Sequence, residues 1–262
     1  MSEIAATFGA GTLLVFQPAT ADVLPLPVAL GFQRLWMRRL REAGRSAVRF
    51  VAVGRLDRLV DAQGADATSD LIAVGDKLIL PLSPVTAEAE LAGLASRYQA
   101  RWGLSSTFEA MGPRFRLKAL LFEAQEGDVR RLEEHAIEDD NLELPRILFE
   151  ILTSATQRSG VRPPWHHWSE IFTTSDPLAA LHYLAAVGTW TMVEEGVRMT
   201  VADAFEPVVQ ALRVAPRMAG SIEVAEALVR ELGDHDVASL ALSRQLRRLR
   251  ELGLHIDDPR RA

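Results

Sequence analysis

Hydrophobic and polar residues alternate with the clearest period of two between residues 102 and 121, on either side of the pair Gly112-Pro113. The second of the two segments carries basic residues between apolar ones, and its apolar positions are Phe115, Leu117, Ala119 and Leu121. A period of two is typical of a strand with one buried face, and a Gly-Pro pair is a turn signal. We therefore predict an antiparallel hairpin that turns at Gly112-Pro113.

The first fifty residues predict a strand, a helix and a second strand. Thr12–Phe16 is a short, continuous apolar run of the kind that forms a strand buried on both faces. Spacings of three and four follow, which indicate an amphipathic helix; its apolar residues are Val28, Phe32, Leu35, Trp36 and Leu40, and Gly44 is placed to end it. Residues 47–53 (AVRFVAV) complete a unit whose second strand should lie parallel to the first.

Two segments leave alternatives open. Residues 71–82 (LIAVGDKLILPL) fit either one strand broken at Gly75-Asp76 or a short hairpin. Residues 129–137 fit either a third strand at the edge of the sheet or a helix, because Val129, Leu132 and Ala136 match both periods poorly.

Helices are predicted on both sides of the hairpin. One begins near Pro84 and Thr86 and carries an apolar stripe at Leu91, Leu94, Ala95 and Tyr98. The other follows a capping-box pattern at Asp140 and Glu143, and its wide apolar stripe consists of Leu144, Ile147, Leu148, Ile151, Leu152 and Ala155.

The order of these elements from Leu91 to Ala155 is similar to that of the TolB amino-terminal-like domain, a bacterial α/β module. In this resemblance residues 101–108 (RWGLSSTF) are a strand, Gly112-Pro113 is the turn, and residues 143–155 are the final helix. Ser105-Ser106 departs from the family, which usually has Gly before Ser or Thr. The resemblance implies an α/β domain over residues 1–160, with a mixed sheet and flanking helices, and an accessory role in bacterial signalling.

That family is usually followed by tetratricopeptide repeats, and the rest of the chain is similar to a degenerate pair of them. Four helices are predicted over residues 161–262, beginning near Pro177, Val201, Ile222 and Val237, with a long connection from Thr189 to Thr200. Ala204, Ala211 and Pro216 match the second helix and the closing proline of such a repeat. Because two repeats bury too little surface alone, we expect this all-α, helical-hairpin domain to pack against the α/β domain.

Composition limits the chemistry and the partners. The chain has 262 residues, no cysteine and a formal net charge of −6, which excludes disulfides and thiolate nucleophiles and disfavours nucleic acid as a partner. No apolar stretch is long enough to cross a membrane, and no Lys or Arg precedes Arg34 as a secretory signal would require. We expect a cytoplasmic bacterial protein that does not bind a membrane.

Candidate site residues are sparse. Adjacent His166 and His167 point in different directions and belong to no H-E-x-x-H motif, so we predict no metal site. Packing at the domain junction is the main interpretation of the Trp165–Trp168 segment. As candidate partner-binding residues we take Trp165, His167, Trp168 and Trp190.

We therefore expect no catalytic residue, no cofactor and no enzymatic activity. The predicted function is that of a regulatory accessory protein or scaffold, which binds a peptide or helix of another protein in a helical-repeat groove. A homo-oligomer is also possible. The alternative is a small-molecule or nucleotide sensor, with its site at the carboxyl ends of the parallel strands, near Phe16 and Val53.

Overall fold

Strands and helices are mixed in the computed structural model, which shows an α/β fold. The structure describes residues 12–16, 19–20, 26–42, 49–53, 72–74, 77–79, 91–93, 95–96, 100–125, 128–158, 162–194, 201–232 and 237–251. The strands are β1 (Thr12–Phe16), β2 (Ala19–Thr20), β3 (Arg49–Val53), β4 (Ile72–Val74), β5 (Lys77–Ile79), β6 (Trp102–Met111), β7 (Arg114–Gln125) and β8 (Asp128–Asp140). The helices are α1 (Leu26–Glu42), α2 (Leu144–Arg158), α3 (Trp168–Phe172), α4 (Pro177–Glu194), α5 (Phe205–Val214), α6 (Ala219–Leu232) and α7 (Val237–Glu251).

The main sheet has the strand order β3-β1-β6-β7-β8, and β2 pairs with β6 as well. β1 runs parallel to β3 and to β6, which confirms the predicted strand-helix-strand unit. β6 and β7 form the predicted antiparallel hairpin, with Met111 opposite Arg114. Gly112 has φ 66°, a left-handed conformation that glycine adopts without strain, so the turn falls where the sequence placed it.

Both ambiguous segments are strands. β4 and β5 pair in antiparallel orientation, with Ile72 opposite Ile79. β8 pairs antiparallel with β7, but Leu121 is opposite Glu133 while Phe122 is opposite Arg131. Leu132 is therefore an extra residue in a β-bulge, and a bulge interrupts the period of two.

The core lies between the sheet and helices α1 and α2. From the sheet, Phe115, Leu117 and Leu121 contribute side chains that are at most 2% exposed, and Trp36 of α1 is fully buried against the ring of Phe149 in α2. A smaller cluster joins Phe122 and Val129 to the helical residues Leu91, Ala92 and Ala95. Apolar side chains at alternate strand positions thus bury the sheet, as the sequence pattern predicts.

All four predicted helices after residue 160 are present as α4, α5, α6 and α7. Asp176 caps α4 because its carboxylate accepts hydrogen bonds from the backbone N–H groups of Leu178 (2.9 Å) and Ala179 (3.1 Å). The predicted connection from Thr189 to Thr200 is wrong in its first half, because α4 continues to Glu194. α3 is a short additional helix that the sequence reading did not predict.

The two-domain arrangement is not confirmed, because one core crosses the predicted boundary. Tyr183 and Leu184 of α4 belong to the same buried cluster as Trp36 of α1 and Phe149 of α2. The boundary between residues 160 and 161 stays a prediction, and the expected packing of the helical part against the α/β part is present. Among the described helices, none combines the length and the apolar character that crossing a membrane would require.

Candidate functional site

Helices α1 and α4 pack with their backbones in contact. A Cβ atom on Gly31 would lie 1.9 Å from the carbonyl oxygen of Leu184, and one on Gly188 would lie 1.7 Å from the carbonyl oxygen of Pro27. Both distances are far below van der Waals contact, so only glycine fits at these two positions. The pair of glycines therefore sets the separation of the two helices.

Helix α6 lies beside this pair and contacts Tyr183 of α4. Gly220 faces the ring of Tyr183, which is fully buried, and the guanidinium of Arg38 donates a hydrogen bond to the tyrosine hydroxyl (3.1 Å). Burial raises the pKa of Tyr183, although the nearby guanidinium groups of Arg38 and Arg39 oppose the shift. The tyrosine thus stays neutral and holds Arg38 at the meeting point of α1, α4 and α6.

A groove opens between these three helices. Its volume is about 380 Å³, and its walls consist of Arg34, Leu35 and Arg38 from α1, Val187, Trp190 and Thr191 from α4, and Glu223, Val224 and Ala227 from α6. This volume is within the range of roughly 300–1,000 Å³ that is typical of ligand pockets. The groove is thus large enough for one or two anchoring side chains of a partner.

Charge and apolar surface are combined in the groove. Arg34 and Arg38 are four residues apart on α1, so both guanidinium groups lie on one face of the helix. Arg38 also lies 3.7 Å from Glu223, in an ion pair whose side chains are 39% and 44% exposed. Such exposed pairs contribute only about 0–1 kcal/mol, so an incoming carboxylate can compete for Arg38.

Of the four predicted partner-binding residues, the structure places Trp190 in the groove. It is half-buried and also packs against the second apolar cluster, which includes Phe205 and Val208 of α5. Trp165 lies against Trp36, with ring centroids 5.6 Å apart, and Trp168 is only 9% exposed and packs on Phe172. These two tryptophans therefore pack into the first core, and their role at a domain junction or in binding a partner stays a prediction.

His167 has a structural role at the start of α3. Its Nδ1 accepts a hydrogen bond from the backbone N–H of Ser169 (3.2 Å), and Glu170 accepts one from the backbone N–H of His167 (3.0 Å). This reciprocal arrangement is a capping box with histidine in place of Ser or Thr. Within the described part of the chain, no three His, Asp or Glu side chains are arranged to hold a metal ion.

The alternative site at the carboxyl ends of the parallel strands is partly filled by backbone. After β1 the chain continues as β2, where Ala19 pairs with Thr107 and Thr20 with Phe108 of β6. β2 therefore occupies the space beside β6 that follows the carboxyl end of β1. In other α/β sheets, a crevice that binds a ligand often opens at such a strand end. Residues 17–18 and 54–55, which belong to the same prediction, lie outside the described residues.

Sequence reasoning did not identify the other groove residues. Arg34 and Arg38 stand on the polar face of a predicted amphipathic helix, which is where solvated charges are expected. The signal that was present is the pair of glycines inside apolar helices, at positions 31 and 188, because a glycine within a helix often marks close packing. Tyr183 and Glu223 carry no signal of their own.

Comparison with known proteins finds no matching family model and no matching curated protein. Among solved structures, the C-terminal domain of LpoB from Salmonella enterica aligns over 50% of this chain and 83% of its own length, with 17% identity and a TM-score of 0.29. Lipoprotein GNA1162 from Neisseria meningitidis aligns over 58% of this chain and 99% of its own, with 16% identity and a TM-score of 0.31. Protein VC0702 from Vibrio cholerae covers 77% and 93%, with 11% identity and a TM-score of 0.18. Such low scores carry no argument about function.

The predicted cytoplasmic location is corrected. One of the similar structures is that of a lipoprotein, which stands against the sequence-based prediction. We withdraw that prediction and assign no other location.

Proposed function

We propose that this chain is a non-enzymatic interaction module whose groove between α1, α4 and α6 binds a segment of another protein. The single observation that carries the proposal is the position of Trp190, Arg34 and Arg38 around one open groove of about 380 Å³. Tryptophan and arginine are the residue types that most often dominate binding energy at protein interfaces.

The groove has the chemistry to bind an acidic segment with an apolar anchor. Val187, Trp190 and Val224 offer apolar surface to an aromatic or aliphatic side chain. Arg34 and Arg38 lie at the same opening, and a guanidinium group binds a carboxylate through two parallel hydrogen bonds. We infer that the bound segment carries Asp or Glu within a few residues of its anchor.

The groove is formed on a rigid support, which reduces the entropic cost of binding. α1 and α4 are in backbone contact at Gly31 and Gly188, and Tyr183 holds Arg38 through its hydroxyl. Residues that are already fixed lose little freedom when a partner docks. The resemblance to a TolB-like domain with tetratricopeptide-like repeats extends the proposal, since it implies that the partner belongs to a bacterial signalling system.

The test is a selection of peptides from a random displayed library on the purified chain, followed by calorimetry with the enriched peptides. We expect enriched sequences that combine an aromatic or aliphatic residue with nearby Asp or Glu. Replacing Trp190 by Ala should weaken their binding by at least 2 kcal/mol, about thirtyfold, which is the size of an interface hot spot. Replacing Arg34 by Glu should weaken it as well, because the substitution repels the acidic residues.

Arg213→Glu provides the matched control, since it makes the same charge change at an exposed position on α5. It should leave peptide binding unchanged. Peptides that bind wild type, Trp190→Ala and Arg34→Glu equally would refute the groove, and enrichment of basic peptides would refute the proposed chemistry. A calorimetric signal from a nucleotide would support the sensor alternative instead.

A further inference from the structure

β8 forms one edge of the main sheet. Among the described strands it pairs with β7 alone, so its other side presents backbone N–H and C=O groups that no described strand binds. With 13 residues it extends over about 44 Å at ~3.4 Å per residue. A long edge strand of this kind is a template for pairing with another chain.

Charge is distributed unequally along β8. Its first half carries Arg130 and Arg131 beside one carboxylate, Asp128, and the part after the bulge carries five carboxylates, at Glu133, Glu134, Glu138, Asp139 and Asp140. A strand that is basic at its start and acidic at its end attracts an antiparallel copy of itself. A parallel copy would place like charges together, which is unfavourable. Sheet edges are commonly protected by charged side chains, proline and bulges; β8 has charges of both signs and a bulge but no lysine or proline.

One antiparallel register matches both the charges and the faces of the sheet. Pairing centred on His135 of both copies, with Leu132 as the extra bulge residue in each, places Arg131 opposite Glu138 and Arg130 opposite Asp139 of the second copy. The residues of β7 that lie opposite them show that each such pair shares a face of the sheet. Arg131 is opposite Phe122 and Glu138 is opposite Arg116, and both β7 positions are even-numbered and on one face. Arg130 is opposite Glu123 and Asp139 is opposite Phe115, and both of these positions are odd-numbered and on the other face. The remaining pairs in this register are Glu133 with Ile137, Glu134 with Ala136 and Val129 with Asp140, so no two residues of like charge lie directly opposite each other.

Contacts within the chain leave most of this register accessible. Glu133 is held by Arg158 and Ser154 of α2, and Glu138 bonds to Arg114 (3.0 Å) and Arg116 (3.4 Å) of β7. Arg131 lies 3.6 Å from Glu134 of the same strand, in an exposed ion pair of the kind that contributes only about 0–1 kcal/mol, so a carboxylate of a second copy can compete for it. The carboxylates are thus fixed in place before a second copy arrives, which lowers the cost of ordering them.

We propose that two copies of this chain pair through β8, in antiparallel orientation about a twofold axis at His135, to form one continuous sheet. A twofold pairing uses each arginine–carboxylate contact twice, so the interface contains four of them. The interface is separate from the groove between α1, α4 and α6, and the proposal goes beyond the proposed function.

The experiment is sedimentation velocity on the full chain over a wide concentration range. Wild type should approach twice the monomer mass of 28.8 kDa. Arg130→Glu and Asp139→Arg should each raise the dimer dissociation constant by about tenfold or more, because each replaces two attractions by two repulsions. An equimolar mixture of the two variants should recover the wild-type affinity, since the new carboxylate at position 130 of one variant then lies opposite the new guanidinium at position 139 of the other.

The mixture separates an interface effect from misfolding, because two unfolded variants would not rescue each other. Arg213→Glu should stay dimeric. Hydrogen exchange should show slower exchange of β8 amides as concentration rises. Wild type that stays monomeric at every concentration would overturn the proposal, as would dimers that persist in both variants or a mixture that gives no rescue.

Discussion

Gly188 on α4 is the position where the structure makes the most stringent demand on the sequence, and its replacement by Ala gives the sharpest test of the fold. The new Cβ would lie 1.7 Å from the carbonyl oxygen, 2.5 Å from the carbonyl carbon and 2.8 Å from the Cα of Pro27. All three atoms are backbone of α1, so no side chain can rotate away to make room. α1 and α4 must move apart.

The magnitude follows from two opposing effects. Non-bonded heavy atoms favour a separation of about 3.5–4.0 Å, so relief of the clash requires a local shift on the order of 2 Å. Overpacking of this kind typically costs about 1–3 kcal/mol, and a backbone clash belongs at the upper end. Ala in a helix gains about 1 kcal/mol over Gly. The net expectation is a loss of about 2 kcal/mol in the free energy of unfolding, which for a chain of this size lowers Tm by roughly 4–8 °C.

Urea unfolding followed by far-ultraviolet circular dichroism measures this loss as a lower midpoint with an unchanged slope. Gly93→Ala is the matched control, because Gly93 is also helical and a Cβ there would meet nothing within 4 Å. It should be neutral or slightly stabilising. Equal midpoints for Gly188→Ala and Gly93→Ala would refute the reasoning, since the close contact of α1 and α4 would then not exist as described.

Two further predictions concern pH. Burial lowers the pKa of His182 below 6.5 while Glu206 opposes the shift, so the unfolded state binds protons more readily and stability is lost as pH falls below about 6.5. Urea midpoints at pH 7.5 and 5.5 should therefore differ less for His182→Gln than for wild type, with the exposed His166→Gln as control. Equal losses in all three proteins would contradict the assignment. Burial would raise the pKa of Glu133, but hydrogen bonds from Arg158 and Ser154 outweigh it and hold the pKa below 4.5. The stability that the ionised carboxylate contributes is therefore present above pH 4.5 and is lost as pH falls through the lowered pKa. Glu133→Gln should reduce the free energy of unfolding by up to about 1 kcal/mol at pH 7 and by nothing measurable near pH 2, and a loss of stability that persists in acid would argue against the ion pair.

Much of the sheet was predictable because burial alone determines it. The run Thr12–Phe16 is a strand with those same bounds, and the alternation around Gly112-Pro113 gives the β6–β7 hairpin in the predicted register. In both cases a strand has a face, or two faces, that must be apolar, so the pattern of residues follows the geometry directly.

β8 shows where that logic fails. The extra residue Leu132 shifts the alternation of side chains by one position. Even-numbered residues before it and odd-numbered residues after it therefore lie on the same face, and no single period of two fits the whole segment. An edge strand also has little apolar surface to bury, and most of β8 is at least partly exposed. A hydrophobic period reports burial, and it cannot report a strand whose pairing depends mainly on backbone hydrogen bonds.

The groove was beyond sequence reasoning for a different reason: it is formed by convergence. Arg34, Trp190 and Glu223 come from three helices that are distant in sequence, and each occupies an ordinary position on its own helix. Amphipathic spacing shows which face of a helix is polar but not which polar residues of different helices meet. That meeting depends on how closely α1 approaches α4, and so on Gly31 and Gly188. The two residues that sequence reading treats as gaps in a helical stripe therefore determine both the core contact and the shape of the surface that we propose binds a partner.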